Sequence, residues 1–470
     1  MFLSSFVGMI RIRHYQPSLW TGVLAEEVDD LWEPWMRTAD HLLDDEQLIE
    51  RVFEAQARRW LKSRTRGRPQ TPTEVVLRLL ILKHIRNWSY EVLEREVRAN
   101  LVYRTFARIG AEKVPDAKTL GRLGQVVGPD VVADLHRRLV EIAVEKRVIT
   151  GKRMRVDTTV VETNIHYPTD SSLLGDGTRV LTRVMKKVEQ AAGGLVSRVR
   201  NRIRTVRKKV FAIAMAARQK GAAGQEKRRP IYKELLSVTR KIVHQATRMM
   251  GEVDQLGRRK RKQFSGLRSQ LATMVDRVEQ VVKQTRARVF GGKTKFEQKL
   301  VSVFEPQTEI IRKGKASKPT EFGKLVKVQE AESQIITHFE VYEERPADSA
   351  LLVNAVEIHE QQTGSVPRIV AADTGFYSQA NEKRLQDMGV KNVSVPNRNT
   401  RSEQRRSHQK KRSFKEGQRW RTGCEGRISV LKRRHGLNRC LYRGQDGMKR
   451  WVGLGVIADN LINMGLCLAK

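Results

Sequence analysis

Cysteine is scarce in this chain. Cys424, Cys440 and Cys467 are the only three in 470 residues, and with no CxxC spacing they exclude both a disulfide framework and a zinc finger. They read as reduced thiols. Long apolar runs are missing as well: none reaches the roughly 18 residues that a membrane helix needs. The opening Met1–Ile10 is too short for a signal peptide and has no small-residue cleavage site. A soluble, cytoplasmic protein with no membrane partner is therefore expected. Acidic residues are also few, 52 Asp+Glu against 90 Lys+Arg, which leaves a net charge of +38. Such an excess repels itself unless a polyanion is present, and nucleic acid is the commonest cytoplasmic one. A ribosome-associated or membrane-bound protein would share the charge, but carboxylates embedded in strands favour neither.

With 39% hydrophobic residues the chain can build two to four domains. Residues 1–70 read as an N-terminal helical region, with Trp20, Trp32, Trp35 and Trp60 and the apolar set Leu42, Leu43, Leu48, Ile49, Val52, Phe53; the basic stretch Lys62–Gln70 closes it as a linker. Residues 71–150 read as further short helices. Thr71-Pro72-Thr73-Glu74 combines an N-cap, a first-turn proline and an early acid, and further caps follow at Ser89 and Asp116. A helix-turn-helix module and a plain bundle fit that pattern equally. Between 179 and 292, apolar residues recur at spacings of three and four over 195–213, 231–256 and 267–281, which predicts an antiparallel coiled-coil insertion of three helices. Its breaks fall at Gly221–Pro230 and Gly257–Gly266, and its outer face is basic, as at Arg198, Arg200, Arg202, Arg204, Arg207, Lys208 and Lys209.

Around that insertion the pattern is strand-like. A β-branched run surrounds Asp157; strands are predicted at Lys324–Val328, Gln334–Tyr342, Arg368–Ala372 and Lys391–Pro396, with helices at Ser349–Gln361 and Gln379–Met388. With the insertion removed, this is the element order of an α/β RNase H-like domain, a mixed sheet flanked by helices, over 151–178 and 293–450, followed by a C-terminal helix at 451–470. Asp157 and Asp373 then fall on neighbouring strands. Glu425 lies on a basic helix, one turn from Arg421 and seven residues from Lys432. Three carboxylates brought together can hold two hard divalent ions. Each also has an ordinary reading: Asp157 paired with Arg153 or Arg155, Asp373 capping a turn, Glu425 in a surface pair with Arg421. Glu162 faces away from Asp157, Asp170 and Asp176 fall in the following loop, and His166-Tyr167-Pro168 reads as a turn.

The stretch Arg155–Gly177, RVDTTVVETNIHYPTDSSLLGDG, with Arg421-x3-Glu425-x6-Lys432, resembles the DDE transposases of bacterial insertion sequences, the first stretch specifically the group labelled ISNCY. The resemblance implies Asp157, Asp373 and Glu425 as catalytic residues holding two Mg²⁺ ions, with Mn²⁺ as a substitute. It also implies that 71–150 binds DNA ends or dimerises, and that Arg421 and Lys432 grip phosphates. Where the family carries a tyrosine three residues before the arginine, this chain has Gln418, which removes the ring's contact with DNA. Arg427 is a further DNA-binding candidate. The segment Asn397–Lys415, with Arg405, Arg406, Lys410, Lys411 and Arg412, is expected to be flexible alone and to order on the DNA backbone. The implied partners are double-stranded DNA, as terminal inverted repeats and target, and a second copy of the chain on paired ends, in a nucleoid-associated location. The insertion is expected to clamp a transposon end or the second protomer. A structure-specific nuclease on the same fold, or an inactive DNA-binding derivative, are the competing readings.

Overall fold

The computed structural model describes residues 6–7, 10–13, 22–23, 26–59, 70–219, 221–312 and 319–469. Trp20, Trp60 and all of the expected linker but Gln70 lie outside the described residues. The chain forms two compact units, Met1–Asn164 with Ile311–Lys470, and Ile165–Ile310.

The first unit contains a short ribbon, β1 (Phe6–Val7) and β2 (Ile10–Arg11), and a seven-stranded mixed sheet. At the sheet's centre is β3 (Arg153–Thr163), whose Met154, Val156, Val160 and Val161 are fully buried, as a strand covered on both faces requires. The strand that follows in sequence, β4 (Glu309–Ile311), lies beside β5 (Glu321–Glu330), which pairs antiparallel with β3 and with β6 (Ile336–Val341). On the opposite edge, β3 runs parallel to β7 (Ile369–Ala372), which runs parallel to β8 (Asn392–Ser394). β9 (Arg439–Cys440) pairs parallel with the far end of β3, at Glu162 and Thr163. β3 and β5 to β8 lie close to the predicted strands, whereas β1, β2, β4 and β9 were not predicted.

The helices before β3 share one core. Thr73–Ile85 is buried at every residue, so it needs cover on all sides. Pro34–Leu42, Glu46–Arg59 and the C-terminal helix Gly444–Leu468 provide it: Trp35, Leu43, Val52, Leu79, Leu139, Leu454 and Leu461 belong to a single cluster. The boundaries expected at residues 70 and 451 therefore cut through packed structure. Within that core Arg78 is fully buried, and two carboxylates satisfy its charge, Asp40 at 3.0 Å and Asp44 at 3.1 Å. Gly444–Leu468 also corrects the reading of apolar runs. By length and composition it is long and apolar enough to cross a membrane, but most of it is buried inside the protein.

Polar tethers fix these helices to the sheet. His136 Nε2 donates to the Ile336 carbonyl at 2.8 Å, and Asn460 bonds both the N–H and the C=O of Ile336 at 2.8 Å. Burial pushes the His136 imidazole down to about 4. The unfolded chain, titrating near 6.5, then binds the extra proton first, so this stabilisation is complete above pH 6.5 and is lost as pH falls towards 4. Denaturant unfolding should show stability falling over that window, with His136 contributing up to about 3 kcal/mol. His136→Gln should flatten that part of the fall, and an unaltered profile would contradict it.

The second unit is a bundle of four helices rather than three: Asp170–Ala192, Ile203–Ala216, Gly221–Asp254 and Arg258–Val289. Leu174, Leu181, Met185, Leu235, Ile242, Met249, Leu271 and Val278 form its core. The extra helix arises because Thr169 and Ser172 form a capping box that starts a helix at Asp170. Asp170 and Asp176 are thus helical, paired with Arg288 and with Arg179. Gly177, expected to end a loop, instead marks close helix packing, since a Cβ there would overlap Val278. Pro230 lies inside Gly221–Asp254, and the second break shrinks to a short turn ending at Gly257.

Candidate active site

Asp157 and Asp373 occupy matching positions on neighbouring strands. β3 and β7 pair in register from Arg153↔Ile369 to Val156↔Ala372, an offset of 369 − 153 = 216, and the next residues along each strand are the two aspartates, 373 − 157 = 216. Adjacent strands lie about 4.8 Å apart. Asp373 keeps extended backbone and then caps the turn Thr374–Phe376, so β7 ends at the carboxylate. β3 runs on until β9 meets the same edge at Glu162, and Asp157–Val161 lie between its two parallel partners. Such strand ends are where open α/β sheets place ligands. Both aspartates are half-buried, and each accepts through Oδ1 a 2.7 Å hydrogen bond from the next backbone N–H, of Thr158 and Thr374.

Glu425 lies on the helix Arg412–Arg434, which packs against β3, β7 and β8. Gln418 tethers this helix. Its Nε2 donates to the Ala372 carbonyl at 3.4 Å, next to Asp373, and also to the Ser394 carbonyl. The residue at the family's tyrosine position is therefore occupied with backbone. A second tether is Arg155, which forms a buried pair with Glu330 through Nε at 2.8 Å, donates to the Trp420 carbonyl, and lies 4.8 Å from the Trp420 ring. Only glycine allows this at position 423, where a Cβ would overlap the Arg155 guanidinium. Cys424, next in sequence, is buried; desolvation, then the charges of Glu330 and Asp157, push its thiol well up.

Glu425 itself is 62% exposed and pairs with Arg421 at 3.1 Å. It lines a cleft of about 760 Å³ with Lys432, Trp451 and Thr159. Thr159 is two residues beyond Asp157, hence on the same face of β3. Among the described residues no three His, Cys, Asp or Glu side chains are grouped to hold a metal ion. The donor chemistry at the two aspartates, hard carboxylate oxygens side by side at a strand end, fits a divalent cation such as Mg²⁺. Glu425 is turned towards Arg421.

The basic candidates divide. Arg427 is buried against Asp459 at 2.7 Å, with His435 beside the same carboxylate at 3.5 Å, which fastens the glutamate helix to Gly444–Leu468 and keeps Arg427 from DNA. Arg405 pairs with Glu382, donates to the Val395 carbonyl at 2.6 Å and lies against the rings of Tyr377 and Phe414. It anchors its segment. That segment is helical over Glu403–Lys410, capped by Ser402, instead of a flexible loop. Arg406, Lys410, Lys411 and Arg412 remain exposed, Arg412 beside Glu416 at 2.8 Å. Asp348 escaped the sequence reading. Its Oδ1 accepts from Thr158 Oγ1 at 3.1 Å and its Oδ2 lies 3.1 Å from where a Gly375 Cβ would be, so it abuts the residue after Asp157 and the turn after Asp373. Its place in the sequence, just before a helix, carries no signal that would single it out.

Two stretches match protein-family models: residues 32–125 a transposase domain (DUF772), and residues 383–465 a transposase DDE domain. The second includes Glu425 but neither aspartate. An uncharacterized protein, ORF8 in the nfe locus of Rhizobium meliloti, is 34% identical over 128 residues, which covers 26% of this chain. The chain spans 61% of that relative's length. No solved structure matches it. Both family matches are to transposase domains, each over a minority of the chain.

Proposed function

We propose that the protein cuts DNA at the ends of an insertion sequence and joins them to target DNA, using Asp157, Asp373 and Glu425 on an RNase H-like sheet. The observation that carries this reading is the shared register of Asp157 and Asp373 across β3 and β7. The strand order β6–β5–β3–β7–β8, with only β5 antiparallel to the central strand among its neighbours, supports the fold assignment. The two aspartates would hold divalent ions, with Glu425 as a third ligand; when bound, such ions activate a water or 3′-hydroxyl and stabilise the leaving oxygen. Arg421 neutralises Glu425 until DNA arrives, while Lys432, in the cleft lining, holds phosphate. Arg155 and Gln418 keep the glutamate helix seated beside both aspartates. Terminal inverted repeats, target DNA and a second copy on paired ends are the partners in this reading.

The test is incubation of the purified chain with Mg²⁺ or Mn²⁺ and a duplex carrying the repeats that flank its gene. Breaks at the repeat boundary and joined products are expected. Cutting at structured sites regardless of the repeats would favour a nuclease, and no cutting with either metal would overturn the proposal.

A further inference from the structure

The second unit contains a groove of about 1030 Å³ that the catalytic reading does not use. One wall is a non-helical strap after Ala192, bearing Arg198, Arg200 and Arg202; the other walls are Gly221–Asp254, with Arg248, and Arg258–Val289, with Lys283 and Arg286. The strap is pinned. Ser197 donates through N and Oγ to Glu252 at 2.8 Å, Gln245 Nε2 donates to the Arg198 carbonyl at 3.0 Å, and Arg202 donates to Gln245 Oε1 at 3.3 Å. Acceptors are thus spent on holding the strap in place. Among the described residues Arg198, Arg200, Arg248, Lys283 and Arg286 form no ion pair, and Glu279 is the one acidic residue in the lining. Concentrating like charges on a fixed strap is unfavourable unless an anion offsets it.

We infer that this groove binds the backbone of duplex DNA. Eight Lys and Arg side chains line it. From Arg240 to Arg248, both in the lining, the helix advances about 12 Å. Duplex DNA carries a charge per about 1.7 Å of axis, or roughly seven over that length, whereas a single strand carries about half as many. The eight cations exceed what a single strand's phosphates could offset over that length, and the duplex supplies the higher charge density. A small anion would leave most of the groove's charge unopposed.

The inference stands apart from the catalytic assignment, and its test needs no cleavage. Binding of the full chain to a duplex oligonucleotide in EDTA is measured over a range of salt concentrations. The variant Arg198→Gln/Arg200→Gln/Arg202→Gln should flatten the slope of log K against log[salt] by about 2–3, near 0.9 per lost phosphate contact. A control, Arg204→Gln/Arg207→Gln/Lys208→Gln, removes the same charge from exposed positions on Ile203–Ala216 outside the groove, and should change the slope by less than about 1. Equal effects of the two variants, or none from the first, would overturn the inference. So would a single-stranded RNA or an acidic polypeptide that displaced the duplex at equal concentration. A chain that still cuts its ends but shows no groove effect would refute this site while leaving the proposed function standing.

Discussion

Asp157→Asn and Asp373→Asn should each reduce cleavage of a donor end by at least about a thousand-fold, equivalent to roughly 4 kcal/mol of transition-state stabilisation. Each asparagine keeps the shape of the side chain and an oxygen able to accept from Thr158 or Thr374, so the sheet and its register should survive. What is lost is one negative charge where the proposed mechanism holds a divalent ion. DNA affinity should be unchanged or slightly higher, since removing an acid from a basic surface weakens no phosphate contact. Glu425→Gln is the discriminating member of the series. If Glu425 is only the partner of Arg421 on an exposed face, its loss costs under about 1 kcal/mol and a few-fold in rate. If it completes the metal site, its loss should match those of the aspartates. A few-fold effect from either aspartate variant would remove that residue from the site.

The second large effect is on stability. Glu330→Ala should lower the unfolding free energy by about 3–5 kcal/mol, a large share of the 5–15 typical of a whole domain. Burial raises the Glu330 carboxyl, and Arg155 pulls it back, so the two charges depend on each other. Removing Glu330 leaves the Arg155 charge in the interior, held by the Trp420 carbonyl and ring alone among the partners described above. The double variant Arg155→Met/Glu330→Met should recover much of the loss, because paired burial, not charge itself, is what the site requires. Denaturant midpoints of the two variants decide it. A double variant as unstable as the single one would show that Arg155 acts through the glutamate helix instead.

That Asp157 and Asp373 lie on neighbouring strands was legible from the order of strands and helices; their matching register emerges only from the folded sheet. Other features depended on partners far away in sequence. Arg405 and Arg427 look like any other surface arginine until Glu382 and Asp459 are known to lie beside them. Gly444–Leu468 reads as a modest C-terminal helix, and only the packed structure shows it filling a core begun near Trp35. The fourth helix of the second unit was hidden because its glycines, at 175 and 177, look like loop residues, although Gly177 marks close approach to Val278 on a neighbouring helix. Pro230 misled in a different way: it reads as a break, yet the helix Gly221–Asp254 continues through it.

The shared core of Thr73–Ile85 and Gly444–Leu468 sets a clock on biosynthesis. The apolar faces of the early helix are made some 464 − 73 = 391 residues before Met464, the last C-terminal residue in that cluster. At about 5–20 residues per second, that separation lasts roughly 20–80 s, during which the N-terminal core lacks one wall. A chain stopped a few turns short of its end never gains that wall, so a truncated product leaves an early, strongly apolar helix uncovered and becomes a substrate for chaperones and proteases. The N-terminal helices thus complete their core only once Gly444–Leu468 has been made.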